Sequence, residues 1–432
     1  MKRQILTLIL LVATTRLGAQ DNWPLERCIA YALEHNTGVR EQRVEIDLRQ
    51  AELDRMRLGH LPVLRAGVAQ EYNWGRSVDM QELVIIKNKL TRYTGASLNA
   101  SVTLFGGFSQ HYGRLAAKEA VKAARFDAEA RREALAIDIT RAYLQLMLAK
   151  QICAYTKESL EAIVLQRERT ARLVEAGSQP QSALSEMEAQ VASEKAAMVE
   201  ASCRERSATL VLTQLMNLPP GETISTGDSF APDEAAAAVP PITETQVEIY
   251  LRESPDIQSA QAKLDEMRHQ KTRAQAAFLP SLHLSASYGS YFSSASETSF
   301  RTQFDENRNP SLNLQLDIPL FQAFQAASQV RQRKLACEQA QLNLEKARTQ
   351  IGDEIRSTAI EAENCWQQYL SSEETVRAMQ NLLAVTEAKY NLGAASALDY
   401  ILARNNHFKA VSDYLQAKWQ YLFQCKLLER YR

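Results

Sequence analysis

The chain has 432 residues, of which 45% are hydrophobic, and its formal net charge is −1. A chain this close to neutrality has no electrostatic reason to bind nucleic acid, so we expect no nucleic-acid partner. The apolar content is sufficient for a folded core, and the length alone suggests two or three domains.

The first 19 residues predict a signal peptide for export. Lys2 and Arg3 form its basic start, residues 5–12 form its apolar core, and small residues precede a cleavage point after Ala19. No later apolar run approaches the roughly 18 residues that a membrane-spanning helix needs. We therefore expect an exported protein that enters a membrane, if at all, through strands.

Residues 20–218 form the first of two predicted repeats. A helix is expected over 23–59, followed by segments 64–74 and 97–105, in which apolar and polar residues alternate. A two-residue period indicates a strand with one apolar and one polar face. The polar stretch 75–95 between the two strands predicts a long loop.

A long helical hairpin is expected after these strands. Phe105-Gly106-Gly107-Phe108 turns the chain into a helix that continues to about Ala176, and a return helix follows over 181–217. Gly and Pro in the break at 176–180 favour a tight reversal between the two helices. The predicted contact seam of the first helix is Leu135, Ile139, Ala142, Leu146, Ala149, Cys153, Thr156, Leu160 and Ile163.

A linker or surface excursion, 219–241, separates this repeat from the second one at 242–432. The second repeat predicts a helix over 244–278, strands over 282–292 and 311–320, and a loop over 293–310 between those strands.

The longest predicted element begins near Gln325 and continues to about Tyr390, where the break at 392–396 leads into another return helix. At about 1.5 Å per residue this helix would be roughly 100 Å long. Core-type positions recur in steps of three and four, which indicates a heptad seam. These positions are Ile355, Thr358, Ala362, Cys365, Tyr369, Ser372, Val376, Met379, Leu383, Thr386 and Tyr390.

Landmarks of the two halves lie at nearly constant separations. Leu61-Pro62 and Leu279-Pro280 are 218 positions apart, and Gly177 and Gly393 are 216 apart. Such self-similarity predicts an internal duplication of the unit helix, strand, strand, long helix, return helix.

The four strands have the length and the alternating pattern of outer-membrane barrel strands. Four strands cannot enclose a pore, since known barrels begin at about eight strands. Open strand edges are not tolerated in lipid. We therefore expect several copies of the chain to share one barrel, with their long hairpins assembled into one tube.

In these features the chain resembles the TolC family of outer-membrane factors over nearly all of residues 20–432. The motifs that carry the resemblance occur in the same order in both repeats. They are Leu61-Pro62 and Leu279-Pro280 at the helix-to-strand corners, Leu104-Phe105-Gly106-Gly107 and Pro319-Leu320-Phe321 at the strand-to-helix corners, and the 390–399 stretch at the second hairpin tip.

The resemblance implies a mainly α-helical homotrimer with a twelve-stranded transmembrane β-barrel and a periplasmic helical tunnel. It implies a location in the outer membrane of a Gram-negative bacterium, in contact with its lipid. It also implies a periplasmic adaptor and an inner-membrane pump of the RND or ABC type as partners. The implied function is a passive conduit of a tripartite efflux or type I secretion system.

The resemblance also implies which residues contact the adaptor. The family's tip motif maps onto Leu392, Gly393 and Ser396 in the second repeat. In the first repeat it maps onto Val174, Gly177 and Pro180, so the serine is absent there. Both glycines also suit the left-handed end of a helix. Asp399 is the acidic residue that follows the tip, and it is expected either at the tunnel mouth or as a cap of the return helix.

The six cysteines have no metal-ligand spacing, yet two pairs are symmetric about the tips. Cys153 and Cys203 each lie 25 residues from Ser178, and Cys365 and Cys425 each lie 30 residues from Ala395. Members of a pair are at equal heights in an antiparallel hairpin. We hypothesise that each pair is close enough for a disulfide; the alternative is that all four are small seam residues.

Catalytic chemistry has no support in the sequence. The histidines are scattered, and no Gly-rich phosphate loop is present, so we predict no enzyme, no cofactor and no metal site. Two other function classes stay open beside the conduit. One is a periplasmic coiled-coil scaffold or adaptor without a pore, and the other is a surface adhesin that uses the loops at 75–95 and 293–310.

Overall fold

The computed structural model describes residues 23–78, 85–219, 224 and 242–431. The predicted signal peptide, 1–19, lies outside these residues. So does the predicted linker, 219–241, apart from Pro219 and Ile224. Within the described residues the chain is mainly helical, with four strands.

The helices are α1 (Leu25–His35), α2 (Thr37–Leu58), α3 (Ser109–Glu175), α4 (Gln181–Met216), α5 (Glu244–Glu253), α6 (Pro255–Gln275), α7 (Phe300–Glu306), α8 (Gln325–Asn391) and α9 (Ala397–Arg430). The strands are β1 (Val63–Val78), β2 (Ile85–Gly106), β3 (Ser281–Ser293) and β4 (Asn309–Asp317). A short 3₁₀ turn, Ala276–Phe278, precedes β3.

The two helices predicted before the strands are each broken, so the prediction of single helices over 23–59 and 244–278 is wrong. Asn36 ends α1 with ψ 129°, and Ser254 ends α5 with ψ 127°. Ser254 precedes Pro255, whose ring disfavours a helical conformation in the residue before it. In the first repeat the Asn36 side chain accepts a hydrogen bond from Gly38 N at 2.8 Å and so starts α2.

The long hairpins have the same dimensions in both halves of the chain. α3 and α8 each contain 67 residues, and they begin 216 positions apart, at Ser109 and Gln325. Every residue of the two predicted seams is buried or half-buried in the structure. The heptad prediction is therefore confirmed, and the equal helices support the duplication.

Close packing divides the chain into two compact units, and each unit contains segments of both repeats. The described residues of the first unit fall within Met1–Arg43, Asp127–Ile257 and Arg348–Arg432. Its largest core joins α1, the middle of α3, the end of α4 and the end of α9. Fully or nearly fully buried members include Cys28, Ile139, Tyr143, Leu146, Met216 and Tyr421.

The second unit comprises Val44–Phe126 and Gln258–Ala347 and includes all four strands. They form one antiparallel sheet in the order β1-β2-β3-β4. In one row across the sheet, Leu64 pairs with Ala100, Ala100 with Ala286, and Ala286 with Leu312. Among the described residues, β1 and β4 each pair on one side only, so both sheet edges are open.

The strands differ in length from the prediction. β1 and β2 continue through most of the predicted loop at 75–95, with an irregularity between Gly75 and Ser77. The polar side chains there hid the strand pattern, yet backbone pairing depends little on side-chain polarity in a solvated ribbon. β4 ends at Asp317, three residues before the predicted 320. Pro319 follows that end and has no N–H to donate to a neighbouring strand.

The second predicted loop, 293–310, contains the short helix α7. Ser299 caps this helix by accepting a hydrogen bond from Thr302 N at 3.3 Å. Gln303 is fully buried, and its side chain bonds to both backbone groups of Ser293, at 2.9 and 3.1 Å. A buried amide therefore helps to hold the loop, and the polar sequence did not reveal it.

One face of the sheet is apolar and open to solvent in the isolated chain. Val68 and Trp74 on β1 are 80% and 78% exposed, and Leu312 on β4 is 75% exposed. Apolar patches of this kind mark surfaces that another protein or a lipid covers. None of the helices in the described part of the chain is both long and apolar enough to cross a membrane.

Candidate functional site at the hairpin ends

The two hairpin tips share one backbone arrangement. Gly177 and Gly393 have φ values of 70° and 73°, in the left-handed region that glycine adopts without a Cβ penalty. Gly177 N donates to Val174 O and the next amide, Ser178 N, to Leu173 O, at 2.9 and 2.8 Å. In the second tip Gly393 N donates to Tyr390 O and Ala394 N to Lys389 O, at 3.0 and 2.8 Å. Each glycine is therefore the left-handed cap of a Schellman motif, as the sequence predicted.

The tips differ in how the return helix starts. In the second tip Ser396 Oγ accepts from Asp399 N at 3.1 Å, and the Asp399 carboxylate accepts from Ser396 N at 3.1 Å, which is a capping box. These hydrogen bonds from Ser396 hold the pKa of the Asp399 carboxyl below its usual range. Pro180 takes this position in the first tip, without a side-chain cap.

The sequence-predicted tip residues are exposed, except Val174, which is half-buried. Gly177, Pro180, Gly393, Ser396 and Asp399 are exposed. Leu392 is also exposed, to 85%. A large apolar side chain held open at a turn is available to a partner protein. The adaptor contact and the tunnel-mouth role of Asp399 stay predictions.

Tyr390 joins the two hairpins just above the tips. Its side chain is 2% exposed, and its ring stacks on Tyr400 with centroids 5.3 Å apart. Its hydroxyl lies 2.9 Å from Thr170 Oγ1 on α3 and donates to Gln179 Oε1 at 3.3 Å. Thr170 itself is fully buried. One tyrosine of the second hairpin therefore holds two residues of the first.

Arg404 makes a second polar link between the hairpins. Its Nη2 donates to the backbone oxygen of Ser159 and, at 3.1 Å, to Ser159 Oγ on α3. Its Nη1 donates to Tyr400 Oη at 3.3 Å. These acceptors are all neutral, and Arg404 Nε is buried without a partner among the described residues. The link therefore satisfies the guanidinium only in part.

The sequence identified Tyr390 as a seam residue but not as a link, and it missed Arg404 and Thr170. A single arginine in a long helix usually reads as part of a solvated face. One feature of the sequence indicated that Arg404 is not solvated: the apolar run Tyr400-Ile401-Leu402-Ala403 comes directly before it. The link we define by Tyr390, Thr170, Gln179, Arg404 and Ser159 is called the hairpin lock below.

His407 predicts a pH dependence of this region. Its Nδ1 lies 3.1 Å from Tyr155 Oη on α3. Burial, and then the charge of Arg404, lower its pKa below 6.5. The unfolded chain therefore binds a proton more readily, so the free energy of unfolding should fall as the pH drops through about 6.5. We expect His407→Gln to reduce the difference between the melting temperatures measured at pH 7.5 and pH 5.5. An unchanged difference would show that another group causes the pH dependence of stability.

The four cysteines of the predicted pairs are free thiols in the structure. Burial, followed by a hydrogen bond to Glu205, raises the pKa of Cys153, and burial raises the pKa of Cys365. A raised pKa reduces the thiolate fraction that forms disulfides. The pairing stays a prediction: Cys153 with Cys203 and Cys365 with Cys425 should each change migration on a non-reducing gel after mild oxidation. If the oxidised protein and variants with either cysteine of a pair replaced by serine migrate identically, that pair forms no disulfide.

No group of three or more His, Cys, Asp or Glu side chains in the described ranges is arranged to hold a metal ion.

Comparison with known proteins agrees with this architecture. The chain is 27% identical to the alkaline protease secretion protein AprF of Pseudomonas aeruginosa over 182 residues, which covers 40% of this chain and 36% of AprF. It is 24% identical to the outer membrane protein TolC of Escherichia coli, covering 67% of this chain and 59% of TolC. The chain thus spans less than two thirds of the length of these two relatives.

A solved structure of CusC has the same fold. The superposition covers 97% of this chain and 95% of CusC, with a TM-score of 0.82 at 17% sequence identity. The family model described as outer membrane efflux protein matches residues 28–218 and 247–430, one match in each half of the chain. Because those matches cover most of the sequence and contain both long hairpins, the chain belongs to the outer membrane efflux protein family.

Proposed function

We propose that three copies of this chain form a channel in the outer membrane and pass cargo through it without catalysis. One observation carries the proposal: the four-stranded sheet has two open edges and an exposed apolar face. A sheet of this kind is stable in lipid only when its edges pair with further strands. Three copies would supply twelve strands, enough to close a barrel.

The tips are proposed to receive a periplasmic adaptor that connects the channel to an inner-membrane pump of the RND or ABC type. Exposed Leu392 and the open Gly177 and Gly393 turns support this assignment, since they offer a protruding apolar side chain beside an accessible backbone. The two relatives above, an alkaline protease secretion protein and an outer membrane protein, agree with either secretion or efflux.

The hairpin lock is proposed to keep the channel closed at rest. Its hydrogen bonds hold the second hairpin to the first along α3. An adaptor opens such a channel only by binding the separated arrangement more tightly than the packed one. Energy for transport then comes from the pump and not from this chain.

The proposal is tested by extraction of the full-length protein from outer-membrane fractions. We expect a band at trimer mass that shifts to monomer on heating, and discrete conductance steps when the trimer is added to a planar lipid bilayer. A monomer recovered from the soluble fraction would overturn the proposal.

Asp399 gives a prediction about the mouth of the proposed channel. Charge reversal by Asp399→Lys is expected to raise leak conductance in bilayers. Ser396→Ala is the matched control, because it breaks the capping box but keeps the charge. If both variants leak equally, the helix cap is responsible; if neither leaks, Asp399 has no role at the mouth.

A further inference from the structure

A cavity of about 530 Å³ lies in the first unit beside the break between α5 and α6. Ser254 lines the cavity and is 2% exposed. Its hydroxyl has no hydrogen-bond partner among the described residues. A buried hydroxyl without a partner is unfavourable, so an occupant that accepts a hydrogen bond from it would bind more tightly.

The first repeat shows what is missing at Ser254. Asn36 occupies the equivalent break, 218 positions earlier. Its Oδ1 accepts from Gly38 N at 2.8 Å, and its Nδ2 donates to Leu215 O at 2.9 Å. The shorter serine makes neither bond, so α6 begins at the cavity without the side-chain acceptor that starts α2.

Charged groups of both signs surround the cavity. Arg131 and Arg430 line it together with Asp256 and Glu354. Arg430 donates to Glu133 through Nη2, while its Nε is buried without a partner in the described part of the chain. The unsatisfied N–H and O–H groups favour an oxygen acceptor on the occupant, and the carboxylates favour a positive charge elsewhere on it.

Two aromatic rings complete the lining. Tyr250 and Tyr431 meet edge to face with centroids 5.0 Å apart. The Arg430 guanidinium carbon lies 6.0 Å from the Tyr250 centroid and 5.9 Å from that of Tyr431. The rings therefore already lie beside one cation, and a second cation such as an ammonium is attracted to faces of this kind.

We propose that this cavity binds a small zwitterion of the α-amino-acid type. Its carboxylate is held by Ser254 Oγ, the arginines and the start of α6, where the helix dipole favours negative charge. Its ammonium lies toward the carboxylates of Asp256 and Glu354. The volume is within the range of small-molecule sites. The site is independent of the conduit role, so its failure would leave that role untouched.

The test is calorimetric titration of the detergent-purified full-length protein with three probes of similar size: L-alanine, propionate and ethylamine. Alanine should bind, and the affinity for each singly charged probe should be at least about tenfold lower than that for alanine. Propionate or ethylamine binding as well as alanine would overturn the zwitterion assignment. No alanine binding up to its solubility limit would overturn the proposal.

Two variants locate the binding to this cavity. Ser254→Asn should restore the cap seen at Asn36, fill part of the cavity and weaken alanine binding at least about tenfold without lowering the melting temperature. Arg131→Gln should also weaken it, whereas Arg132→Gln, which alters an exposed neighbour outside the lining, should not. Alanine binding unchanged in Ser254→Asn and Arg131→Gln would place the site elsewhere.

Discussion

The Gly107→Ala substitution is expected to lower the melting temperature sharply. Gly107 has φ 60°, where alanine costs about 1–2 kcal/mol. A Cβ built on it would lie 2.8 Å from Ala276 O and 2.9 Å from Leu279 Cβ. Both atoms belong to the rigid corner before β3 and cannot rotate away. Strain and overlap together should cost on the order of 3 kcal/mol.

The second repeat provides the control for this prediction. Ala323 lies 216 positions after Gly107 and already has a positive φ, 43°. Ala323→Gly relieves that strain but adds backbone freedom to the unfolded chain, so we expect a change between zero and about 1 kcal/mol of added stability. The melting temperatures of both variants are measured by thermal unfolding monitored by circular dichroism. Equal melting temperatures for Gly107→Ala and the unaltered protein would rule out the steric explanation.

Loss of the Tyr390 hydroxyl is expected to open the proposed channel. Tyr390→Phe keeps the ring and its stacking on Tyr400 but removes the contacts with Thr170 and Gln179. Thr170 still donates to Gln166 O at 3.0 Å, so no new buried hydroxyl is left unpaired. The two hydroxyls supply one proton each, so with Thr170 donating to Gln166 O the substitution removes a net of one hydrogen bond. A loss of about 1 kcal/mol should raise the open-to-closed ratio about fivefold.

Single-channel recording in planar bilayers measures that ratio. Tyr369→Phe is the matched control, because its hydroxyl contacts Tyr414 at 3.5 Å within the second hairpin and links no residue of the first. The control should leave the open probability unchanged. Equal effects of the two substitutions would show that a lost hydroxyl, rather than the lock between hairpins, is responsible.

Periodic features of the fold were predictable from the sequence. The heptad steps from Ile355 to Tyr390 identified the buried side of α8, and Gly177 and Gly393 identified both reversals. These features follow from local rules, namely helical period and the φ that a reversal needs. The broken helix at Ser254 was also local and could have been found, since Pro255 follows it directly.

The contacts that define the hairpin lock could not be found in this way. Tyr390 and Thr170 are 220 residues apart, and Arg404 and Ser159 are 245 apart. Nothing in either local sequence specifies such a partner, because the relative rotation of the helices decides which side chains meet. The extension of β1 and β2 was missed for a related reason. Their pairing beyond Gly75 is made by backbone groups, which leave little pattern in the sequence.

The unequal starts of α4 and α9 have a mechanical consequence. A capping box fixes the first turn of α9, whereas α4 begins after Pro180 with no side-chain cap, a difference worth about 1 kcal/mol of fraying. In an assembly of three chains, the three capped starts of α9 would alternate with the three uncapped starts of α4 around the end of the tube. Fraying would then begin at the three uncapped starts, and hydrogen exchange should be faster at residues 181–184 than at 397–400.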